Sequence, residues 1–287
     1  MSTIENALAK AEKLLKYDSE TSAKDDVSVS EENAERSNDA SKALAKSEVE
    51  TFNWAFLKEN GYITEDDSHS VLAEEYRSIK RPLVVNAIGA RKKDIQRSNL
   101  ILVTSSIPGE GKTFTSINLA LSIAAELDKK VLLIDADVSK PSVSKVLGIK
   151  QTPGLIEYLE GEIDQLSDII LRTEVKGLRV IPAGKRHKFS TELLSSNRMV
   201  LLAQELSDRY PDRIVIFDSP PLLATTQAEV LASLVGQVVL VVAAETTSQN
   251  IVLESVKKLT DSADVVLTLL NKVQHSLDTS YYGYGQY

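Results

Sequence analysis

The chain has 287 residues, 43% of them hydrophobic, no cysteine and a formal charge of −8 at pH 7. Such a length suits one large α/β domain with an extension, and the missing cysteine excludes disulfides, thiolate metal centres, iron–sulfur clusters and cysteine nucleophiles. The longest strongly apolar run, Val238 to Ala244, is far short of the roughly 20 residues that span a bilayer, so the sequence predicts a cytoplasmic chain with neither a spanning helix nor a cleaved signal.

Charge is unevenly placed. Residues 1–70 hold 16 Asp and Glu against 8 Lys and Arg, whereas 71–287 balance at 25 each, so an overall basic footprint for nucleic acid is absent. Ile4, Leu8, Ala11 and Leu15 recur at helical spacing and predict a short amphipathic helix. From about Asp18 to Ser47 large apolar residues are few, as in a linker. "FNWAFLKENGYI" then offers an apolar patch around the only tryptophan, Trp54, read as a helix packed on the main domain. These features set an acidic extension over 1–70, a main domain over 71–275 and a tail over 276–287.

Beyond "SVLAEEYRSIKRP" the pattern becomes regular. Apolar strands "LILVTS", "VLLIDA", "LRVIPA", "IVIFDS", "VVLVVA" and "VVLTLLN" alternate with helical stretches such as Thr113–Leu127, Asn197–Tyr210 and Gln249–Thr260. Continuous apolar strands between helices predict an α/β fold, a mostly parallel sheet with helices on both faces. Ligands of such sheets sit at the carboxyl ends of the strands.

"SSIPGEGKT" lies at such an end. Against G-x-x-x-x-G-K-[ST] it matches at Gly111, Lys112 and Thr113, with Ser106 in place of the first glycine. Gly109 and Gly111 let backbone N–H groups turn inward on phosphate oxygens, Lys112 meets the outer phosphates, and Thr113 offers a hydroxyl to Mg²⁺ at a helix N-terminus. Ser106, Pro108, Gly109, Glu110, Gly111, Lys112, Thr113 and Phe114 form the expected cradle. "VLLIDAD" delivers Asp135 and Asp137, and "IVIFDSPP" delivers Asp218, each at the end of an apolar strand. One such carboxylate reads as a helix cap; three beside a phosphate loop predict a magnesium–nucleotide site. Asn271, closing the last strand, is placed either to read an adenine edge or to make a turn.

Four of the nine tyrosines, Tyr281, Tyr282, Tyr284 and Tyr287, crowd the final seven residues beside Gly283 and Gly285. A glycine-punctuated terminus is a poor place to bury rings, so they read as phosphate acceptors, with docking on the protein as the plainer alternative. A phenol of pKa near 10 needs a positioned carboxylate to lose its proton. About 10–16 residues separate Asn271 from these rings, up to roughly 35–55 Å extended, enough for the chain's own site or a neighbour's. On "EEYRSIKR", Glu74, Arg77 and Arg81 share a helical face with Lys80 at its edge, an arrangement that local ion pairing explains by itself.

"PGEGKT", "VLLIDADVSKP" and "IVIFDSPPLL", followed by the tyrosine-rich end, resemble the bacterial tyrosine kinases of the exopolysaccharide type. "EEYRSIKRPL", "PAGKRHKFSTELLSS" and "YYGYGQY" bring the resemblance closest to the exosortase-associated tyrosine autokinases, over about residues 70–287. It implies a P-loop fold of the ParA/MinD-like type and transfer of the γ-phosphoryl group of ATP, with Mg²⁺, to C-terminal tyrosines of neighbouring copies. By the matched positions Lys112 stabilises the transferring phosphate, Thr113 and Asp218 serve the metal, and Asp135 and Asp137 divide proton acceptance and metal-water binding, with Asp135 the preferred base. The resemblance also implies a ring of subunits built through Glu74, Arg77 and Lys80, with Lys80 standing where an arginine is usual. It implies a separate membrane-embedded polysaccharide chain-length or co-polymerase protein as activator, a cognate tyrosine phosphatase, and a place at the inner face of the membrane through that partner. One departure is plain: Ser139 and Lys140 stand where the second motif commonly carries arginine. The rival readings are a ParA/MinD-like positioning ATPase, which usually has an early lysine where this chain has Ile107, and a nucleotide-binding scaffold without transfer activity.

Overall fold

The computed structural model describes residues 49–67, 70–210 and 212–274. Its first strand, β1 (Val49–Glu50), is followed by α1 (Trp54–Glu59) and the long α2 (Val71–Ile88). Ser70 caps α2 by accepting the Ala73 N–H at 3.1 Å. Then come β2 (Leu100–Ser105), α3 (Lys112–Ala124), β3 (Lys130–Asp135), α4 (Val143–Leu147), α5 (Leu155–Glu160), β4 (Leu171–Thr173) and β5 (Leu178–Ile181). The chain continues through α6 (Ser190–Leu194), α7 (Asn197–Asp208), β6 (Arg213–Asp218), α8 (Gln227–Ala232), β7 (Gln237–Ala243), α9 (Gln249–Thr260) and β8 (Val265–Asn271).

These eight strands form one sheet in the order β1-β4-β5-β3-β6-β2-β7-β8. All pairings are parallel except β4 with β5. The six strands legible in the sequence are the six central and right-hand ones. Missed were β1 and β4, two and three residues long, which are too short to show a period.

Because successive strand side chains point to opposite faces, the continuous apolar runs feed two cores. Leu100, Leu102, Leu132, Ile134, Val215 and Phe217 face Met199, Leu202 and Leu206 of α7. Ile101, Val103, Val131, Leu133, Ile214 and Ile216 face Ile117, Leu121 and Ile123 of α3, together with Tyr76 and Leu83 of α2.

The compact unit begins at Val49, so the boundary expected at residue 71 falls within it. Phe52, Leu57 and Tyr62 are buried in the second core, and Glu174 accepts both the Phe52 N–H at 2.6 Å and the Trp54 indole N–H at 2.8 Å. Trp54 thus anchors α1 to the β4–β5 turn, as a packing residue.

Candidate active site

The loop from Ser106 to Gly111 joins β2 to α3 at the carboxyl edge of the sheet. Gly109 and Gly111 have φ of +88° and +98°, left-handed values that a side chain strains. A Cβ on Gly111 would also strike the Asn271 side-chain amide. Four residues outside the loop, Ala243, Thr247, Asn271 and Lys272, fix it. The Glu110 carboxylate, 1% exposed, accepts the Ile107 N–H at 2.7 Å, the Ala243 N–H at 3.2 Å and the Thr247 hydroxyl at 2.5 Å. Asn271 donates its side-chain amide to the Glu110 carbonyl at 2.9 Å, and Lys272 donates to the Gly109 carbonyl at 2.7 Å. The Gly109 and Glu110 carbonyls are therefore taken up and the Ile107 N–H is spent on Glu110, so the N–H groups from Gly109 onward are those left for an anion.

β3 and β6 are paired, with Asp135 opposite Asp218 at their last residues. Asp218 is wholly buried and accepts the Thr113 hydroxyl at 2.7 Å on one oxygen and the Ser116 hydroxyl at 2.9 Å on the other. Thr113 also lies 3.0 Å from the Ser142 hydroxyl. Asp137 receives Lys112 at 3.0 Å and accepts the Lys140 N–H at 3.0 Å. Asp135 accepts the Ser142 and Val143 N–H groups at 3.0 and 2.9 Å through Oδ2 and so caps α4, while its buried Oδ1 has no partner among the described residues. Ser116 is one turn beyond Thr113, so helical spacing could have revealed it; Ser142, Thr247 and Lys272 gave no local signal.

Burial pushes the Asp135 carboxyl well above the ordinary range, and the Asp218 charge adds to this. Burial likewise raises Asp218, against the opposing pull of Lys112, Thr113 and Ser116. Burial works to lower Lys112, but the carboxylates of Asp218, Asp137 and Asp135 outweigh it and raise it overall. The site is thus an acidic cluster bound round one ammonium.

Among the described residues no three Asp, Glu, His or Cys side chains converge into a metal cage. The donors still suit magnesium, a hard cation usually held by one or two carboxylates with phosphate and water oxygens. Thr113, Asp218 and Asp137 supply hard oxygens only, and the orphaned Asp135 oxygen offers one more acceptor to a bound group.

Other expected residues fall elsewhere. The Phe114 ring packs on Tyr62, 4.9 Å between centroids, so only its backbone can face a nucleotide. Ser106 and Pro108 lie on the loop as expected, with the Ser106 hydroxyl buried and unpartnered. Ser139 bonds Gln227 at 3.2 Å, and Gln227 reaches Thr191 at 2.9 Å, so a neutral network occupies the place where arginine is usual. Glu74 and Arg77 pair with each other on the exposed face of α2. Lys80 turns inward instead, donating to the Ser122 carbonyl at 2.5 Å and pairing with Glu126 at 2.9 Å. Tyr281, Tyr282, Tyr284 and Tyr287 lie outside the described residues.

A parallel sheet with helices on both faces, a phosphate loop after one strand and carboxylates closing two others define a P-loop nucleotide-binding protein. The family described as AAA domain matches residues 98–274. The tyrosine-protein kinase YwqD of Bacillus subtilis is 32% identical over 215 residues, covering 75% of this chain and 86% of that protein. The tyrosine-protein kinase ptk of Acinetobacter johnsonii is 39% identical over 182 residues, 63% of this chain but 24% of its own length. The kinase domain of the Escherichia coli tyrosine kinase ETK superposes with a TM-score of 0.67 at 29% identity, covering 85% of this chain and 91% of that domain. The chain belongs to the bacterial tyrosine-protein kinase family, and it spans about a quarter of the length of the first curated relatives it matches. No helix among the described residues is long and apolar enough to cross a membrane.

Proposed function

We propose that the chain is an ATP-dependent protein-tyrosine kinase whose acceptors are Tyr281, Tyr282, Tyr284 and Tyr287 on its own kind, and that it regulates exopolysaccharide synthesis or export. The observation that carries this reading is the gathering of Lys112, Thr113, Asp135, Asp137 and Asp218 at the carboxyl ends of adjacent strands, within 3.0 Å contacts of one another or of the same loop.

The N–H groups of 109–113 bind the triphosphate, and Lys112, released from Asp137, follows the γ-phosphoryl group as charge shifts towards the leaving oxygen. Bound magnesium would supply charge neutralisation for the phosphates. Thr113 and Asp218 would hold it, with Asp137 holding its waters. A tail phenol attacks the γ-phosphorus, the bond to the β,γ-bridging oxygen breaks, ADP leaves, and the phenolic proton passes to Asp135. The unpartnered Oδ1 of Asp135 supports that assignment, because it is an acceptor that the fold itself leaves unused. The amide nitrogen of Asn271 is committed to the loop, so its carbonyl oxygen is what remains for an adenine amino group.

Glu74 and Arg77 belong, in this reading, to the contact between subunits of a ring, with Lys80 supporting the helix from behind. A membrane-embedded polysaccharide co-polymerase would activate the kinase and hold it at the inner membrane face, and a tyrosine phosphatase would reset it. Mass spectrometry of the terminal peptide after incubation with Mg-ATP and the activating partner tests the reading. Phosphotyrosine is expected on that peptide, falling by roughly a hundredfold or more in Lys112→Met. Phosphate release without labelling would instead make the protein a positioning ATPase.

A further inference from the structure

A second cluster of charge lies at the opposite end of the sheet. Lys130 and Arg213 begin β3 and β6, the strands that Asp135 and Asp218 end, so about 17 Å of strand separates the two regions. Register places Arg172 beside Arg179, Arg179 beside Leu132, and Lys130 beside Arg213. Lys130 and Leu132 are two residues apart, so all four basic side chains stand on one face of four neighbouring strands. Adjacent like charges destabilise a sheet. The protein offsets part of this row: Asp212 pairs with Lys130 at 2.8 Å. Arg213 is 9% exposed and stacks on the Tyr210 ring at 4.7 Å, yet no acceptor among the described residues pairs with its guanidinium, nor with that of Arg179. Burial and the neighbouring Arg179 both push Arg213 below the usual guanidinium value.

These side chains open into a cavity of about 780 Å³, which also collects Lys129 and Lys176 and, as its acids among the described residues, Glu126 and Asp128. Glu126 is already tied to Lys80. Leu127, 93% exposed, and Val175 give the same cavity an apolar wall.

We propose that this cavity is a regulatory binding site, separate from the P-loop, for a ligand carrying a diphosphate, of nucleoside-diphosphate size. The volume lies within the range of small-ligand sites. Two unpaired guanidinium forks, two strand spacings or about 10 Å apart at their backbones, converge on paired phosphoryl groups better than on one carboxylate. The apolar wall takes the less polar body of the ligand. A soluble nucleoside diphosphate derivative and a lipid-borne diphosphate share this chemistry.

Isothermal titration of the full chain with inorganic pyrophosphate tests the site. Two saturable events are expected in the wild type. Lys112→Met should keep the event at the cavity, and the Arg179→Gln/Arg213→Gln double variant should weaken that event by roughly tenfold or more while keeping the one at the P-loop. A titration that the arginine substitutions leave unchanged overturns the proposal. Since relief of like-charge repulsion cannot destabilise the empty protein, Arg179→Gln alone should melt no lower than the wild type without phosphate. A clear drop would assign the arginine row to the fold and overturn the site. Flotation with vesicles bearing a polyprenyl diphosphate, against phosphatidylcholine alone, separates the sources: arginine-dependent flotation marks a lipid ligand, its absence a soluble one. Arginine-dependent flotation without pyrophosphate binding overturns diphosphate as the recognised group.

Discussion

Glu110 shows what a single residue can hide. In the sequence it is the variable position of a phosphate loop, whereas in the fold its carboxylate takes two backbone donors and a hydroxyl with almost no contact with water. Its partners Ala243 and Thr247 are more than 130 positions away, beyond the reach of any local pattern. Replacing it with alanine orphans the buried Ala243 N–H, a loss of about 1–3 kcal/mol, and frees the part-buried Ile107 N–H at a smaller cost. Glu110→Ala is therefore expected to lower the free energy of unfolding in urea by roughly 2–4 kcal/mol and to weaken nucleotide binding, with Glu110→Gln milder on both counts. Equal urea midpoints for wild type and Glu110→Ala would refute the brace. The residues gathered around the phosphate loop were legible for the opposite reason. Lys112, Thr113, Asp135, Asp137 and Asp218 each sit at a fixed offset from an apolar strand or a glycine, and such offsets survive in one dimension.

At the scale of elements, α2 separates two roles that helical spacing could not. Spacing put Lys80 only at the edge of the face that carries Glu74 and Arg77, and the packing of α2 against α3 decides which of these side chains meet solvent. Lys80 lies under it, bridging to the last turn of α3 and to Glu126. Lys80→Met should cost about 1–3 kcal/mol in thermal or urea unfolding, the range for a buried charged hydrogen bond. Arg77→Glu, at an exposed pair, should leave the melting temperature nearly unchanged while reducing both the assembly mass in light scattering and phosphorylation between copies. The reverse pattern, a stable Lys80→Met and an unfolded Arg77→Glu, would contradict the geometry. The missed strands belong to this scale too. β1 and β4 exist because the β5 edge pairs with β4 and β4 with β1, a requirement of the sheet rather than a preference of the residues.

The whole molecule sets its own boundary. Because β1 extends the sheet and Phe52, Leu57 and Tyr62 fill one of its two cores, a chain starting at Val49 keeps both and should melt clearly above one starting at Val71. One starting at Val71 loses three buried side chains, on the order of 5 kcal/mol at about 1.5–3 kcal/mol each. Calorimetry of the two truncations checks this, and equal melting temperatures would restore the boundary expected at residue 71.

The sequence by itself determined the sheet class, the phosphate loop and the three carboxylates, because strand alternation, glycine turns and strand-end acids are local consequences of backbone geometry. Tertiary structure alone decided how the loop is braced from β7 and β8, which way Lys80 points, and that four basic residues from four strands line one cavity. Those outcomes depend on which strands lie side by side, and the order β4-β5-β3-β6 is a property of packing that no stretch of chain carries within itself.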